Sequence, residues 1–300
     1  MTILKTLLAA ASLAAGAAPA FAEAPNMGPG VRVQNAAARV VVIAEPRSDY
    51  TISISQGRAG LKPLEIRKDG GVTVVDGGLG NVHWSWGPKV FGLSGGWNGL
   101  NCKGSNNNQR VVIPGKGEVA LADLPVVTIH APLNAHLGSS GAVYGEVNVT
   151  DALTLSNAGC GDWRIADVHG PLHLSMSGSG DVRGAATGDA YIAISGSSDV
   201  ILGAVNGRLE THTSGSGDIH TASARGGIST KIAGSGDVTV DGGETPNVGV
   251  SIAGSGDFRF RGTAGAVNAS IAGSGDVDIA HATGPVSKHV AGSGDVNIGR

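Results

Sequence analysis

The tetrapeptide Gly-Ser-Gly-Asp occurs at 178–181, 215–218, 234–237, 254–257, 273–276 and 292–295. Near copies stand at Gly196-Ser197-Ser198-Asp199 and Gly159-Cys160-Gly161-Asp162, and Ser139-Ser140-Gly141-Ala142 reads as a degenerate member. Successive Asp residues, 162 to 295, are 19, 18, 19, 19, 20, 19 and 19 positions apart. A second landmark precedes most of them by eleven positions: Gly170, Gly188, Gly207, Gly226, Gly265 and Gly284, with Pro246 once in that place. The run into each Asp therefore has constant length, and the variation falls between Asp and the next landmark. A fixed period of this size means a stack of like units.

Within each unit the residues alternate. From the landmark glycine, offsets +2, +4 and +6 are mostly apolar, as in Leu172, Leu174 and Met176 or Ala190, Ile192 and Ile194. After the turn, Asp+1 and Asp+3 are apolar, as in Val238 and Val240 or Phe258 and Phe260. Period-two patterning in two short runs per unit predicts two strands. A coil of about nineteen residues that advances one strand spacing, ~4.8 Å, stacks each strand on its copy. The expected fold is all-β: a right-handed parallel β-helix, or β-solenoid, with two-sheeted coils and Gly-Ser-Gly-Asp corners. Glycine suits the corner because it tolerates positive φ and because its missing Cβ lets neighbouring turns approach.

Composition agrees. The chain has 50 glycines among 300 residues and only 15% charged residues, against a usual ~25%. Regularly spaced Val, Ile and Leu separate it from a disordered Gly-rich chain. Net charge is -3 with no basic run, which argues against nucleic acid and anionic membrane as partners.

Lys5, the apolar stretch 7–18, Pro19 and Ala20-Phe21-Ala22 fit a signal peptide over 1–22, with the mature chain starting at Glu23. No later apolar run is long enough for a membrane span. Export to the periplasm, the outer surface or the medium is expected. Cys102 and Cys160 are the two cysteines, and in an oxidising compartment a pair is a disulfide candidate. The loop it would close is worth about 4 kcal/mol on the chain-entropy model. Two separately buried thiols, or a metal site needing further ligands, are the alternatives.

The Ser/Ala-Gly-Ser-Gly-Asp-Val turns, preceded by a β-rich segment and a leader, resemble the head GIN domain of auto-transporter adhesins. The motifs carry the resemblance over 137–300; Val126-Val127-Thr128-Ile129-His130-Ala131-Pro132-Leu133 resembles that family's lead-in to its first regular repeat. The resemblance implies a two-sheeted parallel β-helix with Gly-Ser-Gly at the tight turn, an adhesive role, and no catalytic residues to transfer. Since Val296-Asn297-Ile298-Gly299-Arg300 falls inside a repeat, attachment is expected through a partner.

Segments 31–43, 50–55, 64–67 and 72–75 read as strands of irregular early coils. Residues 23–136 are expected to cap the solenoid, since an open end exposes strand edges. Lys288 occupies a core-facing offset, where its charge would discourage end-to-end stacking unless the last coil is frayed. The stretch 77–109 holds Trp84, Trp86 and Trp97 among Gly, Asn and Ser. It reads as a long loop, with the tryptophans either contacting a ligand or packing the loop onto the solenoid.

The Asp column is the sharpest chemical feature. Neighbours ~4.8 Å apart repel by roughly 0.9 kcal/mol even in water, so turn amides, Ser hydroxyls or cations must offset them. The calcium nonapeptide roll spaces its Asp differently, and no cofactor or metal is assigned. His173, His212 and His220 fall at outward offsets and lack zinc spacing. Asn148-Val149-Thr150 and Asn268-Ala269-Ser270 match glycosylation sequons weakly. Outward residues change from coil to coil, from Arg183 and Ile201 to Arg259 and Asp278, which disfavours a β-helix carbohydrate-active enzyme. The leading reading is a non-catalytic envelope or adhesion-type binding module, working through solenoid faces or the Trp-rich loop. An inert structural envelope protein is the alternative. The partner is an envelope, glycan or protein component, with self-association among the options.

Overall fold

A computed structural model describes residues 29–80, 100–103 and 109–299. Among them there is no α-helix; the sole helical element is a 3-10 turn at Leu121–Asp123. No helix of the described residues is long and apolar enough to cross a membrane. The signal-peptide segment 1–22 lies outside the described residues.

The chain winds into a β-solenoid of about nine coils, each of about 19 residues. Sheet 1 begins with 134–139 and continues through Ala152–Asn157, Leu172–Met176, Ala190–Ile194, Leu209–Thr213, Ile228–Ile232, 248–252, 267–271 and Val286–Val290. Sheet 2 begins with 145–147 and continues through Trp163–Ile165, Val182–Gly184, Val200–Val205, Ile219–Ala224, Val238–Val240, 258–260, Val277–Ala282 and Val296–Ile298. All of these pairings are parallel, and like positions meet: Leu172 on Ala190, Ala190 on Leu209, Leu209 on Ile228.

A third, shorter ladder closes the looser side of the coil. Thr150, Val168, Thr187 and Val205 bridge in sequence, Val205 meets Ala224, and Ala264 meets Ala282. All are buried. Their signal in the sequence is a small or apolar residue about six positions after each Asp. The long strand Phe258–Ile271 shows the path of a coil, serving sheet 2, this ladder and sheet 1 in turn.

The core is filled by the inward columns of both sheets. Large side chains occupy room left by glycine in neighbouring positions. A Cβ on Gly145 would stand 2.2 Å from the Trp163 ring, and one on Gly184 would stand 2.6 Å from Leu202 Cδ2. Trp163, Phe258 and Phe260 are fully buried, each removing upwards of ~150 Å² of mostly apolar surface from water.

At the corners, glycine is required by close approach. A Cβ on Gly236 would lie 2.1 Å from the carbonyl oxygen of Gly217, and one on Gly178 2.0 Å from that of Gly159. Positive φ, the other reason expected from sequence, is confined to Gly292 (152°) among the corner glycines from 178 onward. The degenerate repeat is shifted by two residues from its sequence reading. Gly159 stacks on Gly141 and Gly161 on Val143, so Gly141-Ala142-Val143-Tyr144 holds the Gly-Ser-Gly-Asp places and Tyr144 begins the Asp column.

Below the regular coils, Val31–Glu45 spans both sheets. Val72–Asp76 pairs beneath its start and Val126–Pro132 beneath its end. Two antiparallel strands finish this end, Glu65–Asp69 on Val72–Asp76 and Thr51–Ser55 on Val126–Pro132. At the other end the last coil keeps full register with the one below. Lys288, projecting inward, donates from Nζ to the carbonyl of Val296 at 2.7 Å. A cation bridging the two sheets across the core end blunts that edge.

Candidate functional surface

The Asp column is a hydrogen-bond ladder. The amide of Asp181 donates to Oδ1 of Asp162 (3.0 Å), that of Asp199 to Asp181 (3.1 Å), and that of Asp218 to Asp199 (3.0 Å). Asp237, Asp257, Asp276 and Asp295 continue it, each at 2.8 Å. In return, the residue after each Asp donates its amide to the carbonyl of the next Asp, as Val200 does to Asp218 and Val238 to Asp257. The carboxylate thus supplies the acceptor that the main chain cannot present where it turns the corner. At the lower end, Gln109 Nε2 bonds Asp162 Oδ2.

Electrostatics in the column follow burial. Desolvation holds the Asp181 carboxyl above its usual range, helped by the Asp162 and Asp199 carboxylates and opposed by the Asp199 amide and Arg183. Burial, with Asp162 adding to it, pushes the Tyr144 phenol up to about 12. Among the described residues no three His, Cys, Asp or Glu side chains come together as a metal-sized cluster. What the geometry gives the column is a structural task.

The two outer sheet faces differ in chemistry. Sheet 2 carries charged groups that pair with one another: Arg164 with Glu146 (3.7 Å), Arg259 with Asp278 (3.4 Å), and Arg261 with Asp241, whose carboxylate also meets His220 Nε2 at 2.9 Å. On sheet 1 the two central outward columns, from the 152–157 strand upward, are mostly Ser, Thr, Ala, Gly and Asn. Glu210 and Lys231 are the acidic and basic side chains there.

A ridge of rings crosses this flat face. His173 and Tyr191 stand on adjacent coils in register, and their rings stack with centroids 4.6 Å apart and planes within 3°. On the next coil His212 Nε2 meets Glu210 Oε1 at 3.2 Å. Burial lowers the His173 pKa, and nearby His136 lowers it further against the pull of Asp189. Tyr191 was not singled out in the sequence, although it holds the same offset from Gly188 as His173 from Gly170.

Cys102 and Cys160 form a disulfide with Cα atoms 5.7 Å apart. Cys160 takes the outward Ser place of its corner. Cys102 lies on Asn101–Lys103, the first strand of a small antiparallel sheet completed by Arg110–Ile113 and Gly117–Ala120. That sheet packs Leu100, Val111 and Ile113 on Ala37, Ala142 and Tyr144 in a second, smaller core. Trp84, Trp86 and Trp97 lie outside the described residues. The flanks of their stretch, Leu79 and Leu100, are both fixed in this second core. Asn148 is a clamp: its side chain accepts from the Ala44 amide at 2.6 Å and donates back to the Ala44 carbonyl at 3.4 Å.

Residues 210–299, spanning the last five coils, match the family described as "Putative auto-transporter adhesin, head GIN domain". Over those coils the chain is similar to adhesin head domains, within the longer span that resembles them by motif. No curated protein matches the chain.

Proposed function

We propose that this is a non-catalytic, exported cell-envelope module of the adhesion type, and that the outer face of sheet 1 is its main contact surface. The observation that carries the reading is the contrast between the faces. Sheet 2 spends its charged groups on one another. Sheet 1 offers a flat run of small side chains, with few charges and a half-buried aromatic ridge; scarcity of charge and the presence of aromatic side chains are what the centres of contact surfaces share. The family match over 210–299 supports the same class. The tryptophans at 84, 86 and 97 are a second contact candidate, since the flanks of their stretch are anchored beside the corner.

Adsorption of the purified protein to envelope preparations tests this. Ser251→Arg with Ser270→Arg puts two long cations on small positions of sheet 1. It is expected to weaken adsorption at least about tenfold, a loss of ~1.4 kcal/mol or more. Unchanged adsorption of that double variant removes sheet 1 as the contact face and leaves the tryptophan stretch.

A further inference from the structure

We propose that the outer face of sheet 1 pairs with the same face of a second copy of this chain, the two solenoids lying side by side with parallel axes. The proposal rests on the reading of sheet 1 as the contact face and names its partner, so that adsorption to envelopes is pairing with copies held there.

The face is complementary to itself. On four coils its two central outward columns set one large side chain beside one small: His173 with Ser175, Tyr191 with Ala193, Lys231 with Ser229 and His289 with Ser287. The large member stands in the first column on the lower two and in the second column on the upper two. A two-fold axis along the solenoid exchanges the columns, so each position faces the other column of the same coil. Tyr191 then meets the partner's Ala193, and Lys231 meets the partner's Ser229. Thr154 with Ser156, Gly249 with Ser251 and Asn268 with Ser270 are short on both sides, which lets the sheets approach the ~10 Å of packed faces. Glu210 and His212 are both large, but they already meet at 3.2 Å within one chain, and across the axis each faces the other.

Charge and area point to the same occupant. Lys231 is exposed and pairs with no carboxylate among the described residues. In the paired copies the partner's Glu210 lies one strand spacing along and ~10 Å across, with Cα atoms ~11 Å apart, within the joint reach of an extended lysine and glutamate. The axis makes this ion pair twice. Antiparallel copies, centred so that the same charges meet, set His212 opposite the partner's Lys231 and Glu210 opposite the partner's Ser229, a poorer match. Eight coils at ~4.8 Å and five-residue strands at ~3.3 Å make a face of about 630 Å². Two such faces reach the lower end of the ~1,200–2,000 Å² that stable complexes bury. Below these coils Arg32 lies along Gly138, its Cγ 3.5 Å from the place of a Cβ, and the contact ends there.

Sedimentation equilibrium of the full chain from about 1 to 100 μM tests the pairing, and a dimer is expected in that range. Ala193→Arg, which fills the place facing Tyr191, and Lys231→Glu, which sets like charges together, should each raise its dissociation constant at least about tenfold. Glu210→Lys combined with Lys231→Glu should return it to within about threefold of wild type, a recovery that a folding defect does not produce. Thr239→Arg, on sheet 2, should leave it unchanged. A monomer throughout overturns the pairing. A dimer untouched by both Ala193→Arg and Lys231→Glu, in proteins with wild-type melting, overturns the interface. Nitroxides on Ser287→Cys should report Cα atoms ~12 Å apart; the antiparallel value, ~35 Å, overturns the parallel arrangement. If the chain is monomeric and adsorption to envelopes is still lost in the Ser251→Arg, Ser270→Arg variant, the sheet 1 reading stands with a different partner. Adsorption retained in that variant removes that reading too.

Discussion

The main-chain amide of Asp237 donates to Oδ1 of Asp218, one coil below, at 2.8 Å. The link needs an acceptor oxygen on a short side chain, and it does not need a charge. Asp218→Asn is therefore expected to cost less than about 0.5 kcal/mol, while Asp218→Ala leaves an amide without its partner and costs about 1–2 kcal/mol. Urea denaturation of the two variants measures the difference; equal losses would mean that charge matters more than the acceptor.

Two carboxylates should respond to pH in opposite directions. Asp181 has a raised pKa, first from burial, so its contribution is complete in acid and is lost as pH rises through the folded value. Asp181→Asn should be slightly more stable than wild type at pH 7, by less than about 1 kcal/mol because the site is partly open to solvent, and should lose that advantage below pH ~4. At Asp76 burial raises the pKa, but hydrogen bonds from Gln34, Gly78, Asn35 and Arg67 outweigh it and the net shift is downward. Its contribution is present above the unfolded value and disappears as pH falls through the folded one. Asp76→Asn should be less stable at pH 7 and indistinguishable in strong acid. Melting curves from pH 3 to 8 separate the two.

Glycines that look alike in the sequence should differ sharply on substitution. Gly236→Ala drives a Cβ to 2.1 Å from a backbone oxygen, whereas the nearest atom to a Cβ at Gly242 is 3.9 Å away. The first change is expected to cost about 3–5 kcal/mol and the second less than about 1. Thermal melting of both variants is sufficient, and similar losses would contradict the close stacking of corners.

Cys102→Ser removes a link across 58 residues and should cost about 2–4 kcal/mol. The loss should appear first as faster amide exchange in Arg110–Ile113 and Gly117–Ala120, with the coils beyond 170 unaffected. Uniformly faster exchange would mean that the small sheet supports the whole solenoid.

Thr213 and Thr221 face the core, with hydroxyls that find no partner among the described residues. Thr213→Val keeps the shape and removes the polar atom, and should stabilise by about 1 kcal/mol. An unchanged or lower midpoint in urea would mean that the hydroxyl is satisfied in solution.

The coil was legible because its signals are local: the alternation at Gly+2, +4 and +6, and the glycine whose Cβ has no room. Sequence alone also placed the Asp residues at corners, where amides offset their repulsion. It could not show that each amide comes from the Asp one coil above, because that is a relation between coils. The same limit hid Gln109 under Asp162, the third ladder of small residues, and the stack of His173 on Tyr191, whose partners are about eighteen residues apart. Tyr144 was unreadable as the first member of the Asp column because its residue type gives no hint of the place it fills.

Since each corner link joins like positions of neighbouring coils, a whole coil can be removed or copied without inventing a new contact. Excising 219–237 would set Asp257 over Asp218, restoring the same amide–carboxylate pair. The reach of the molecule therefore changes in steps of ~4.8 Å, and a lineage could tune how far its surface extends by counting coils.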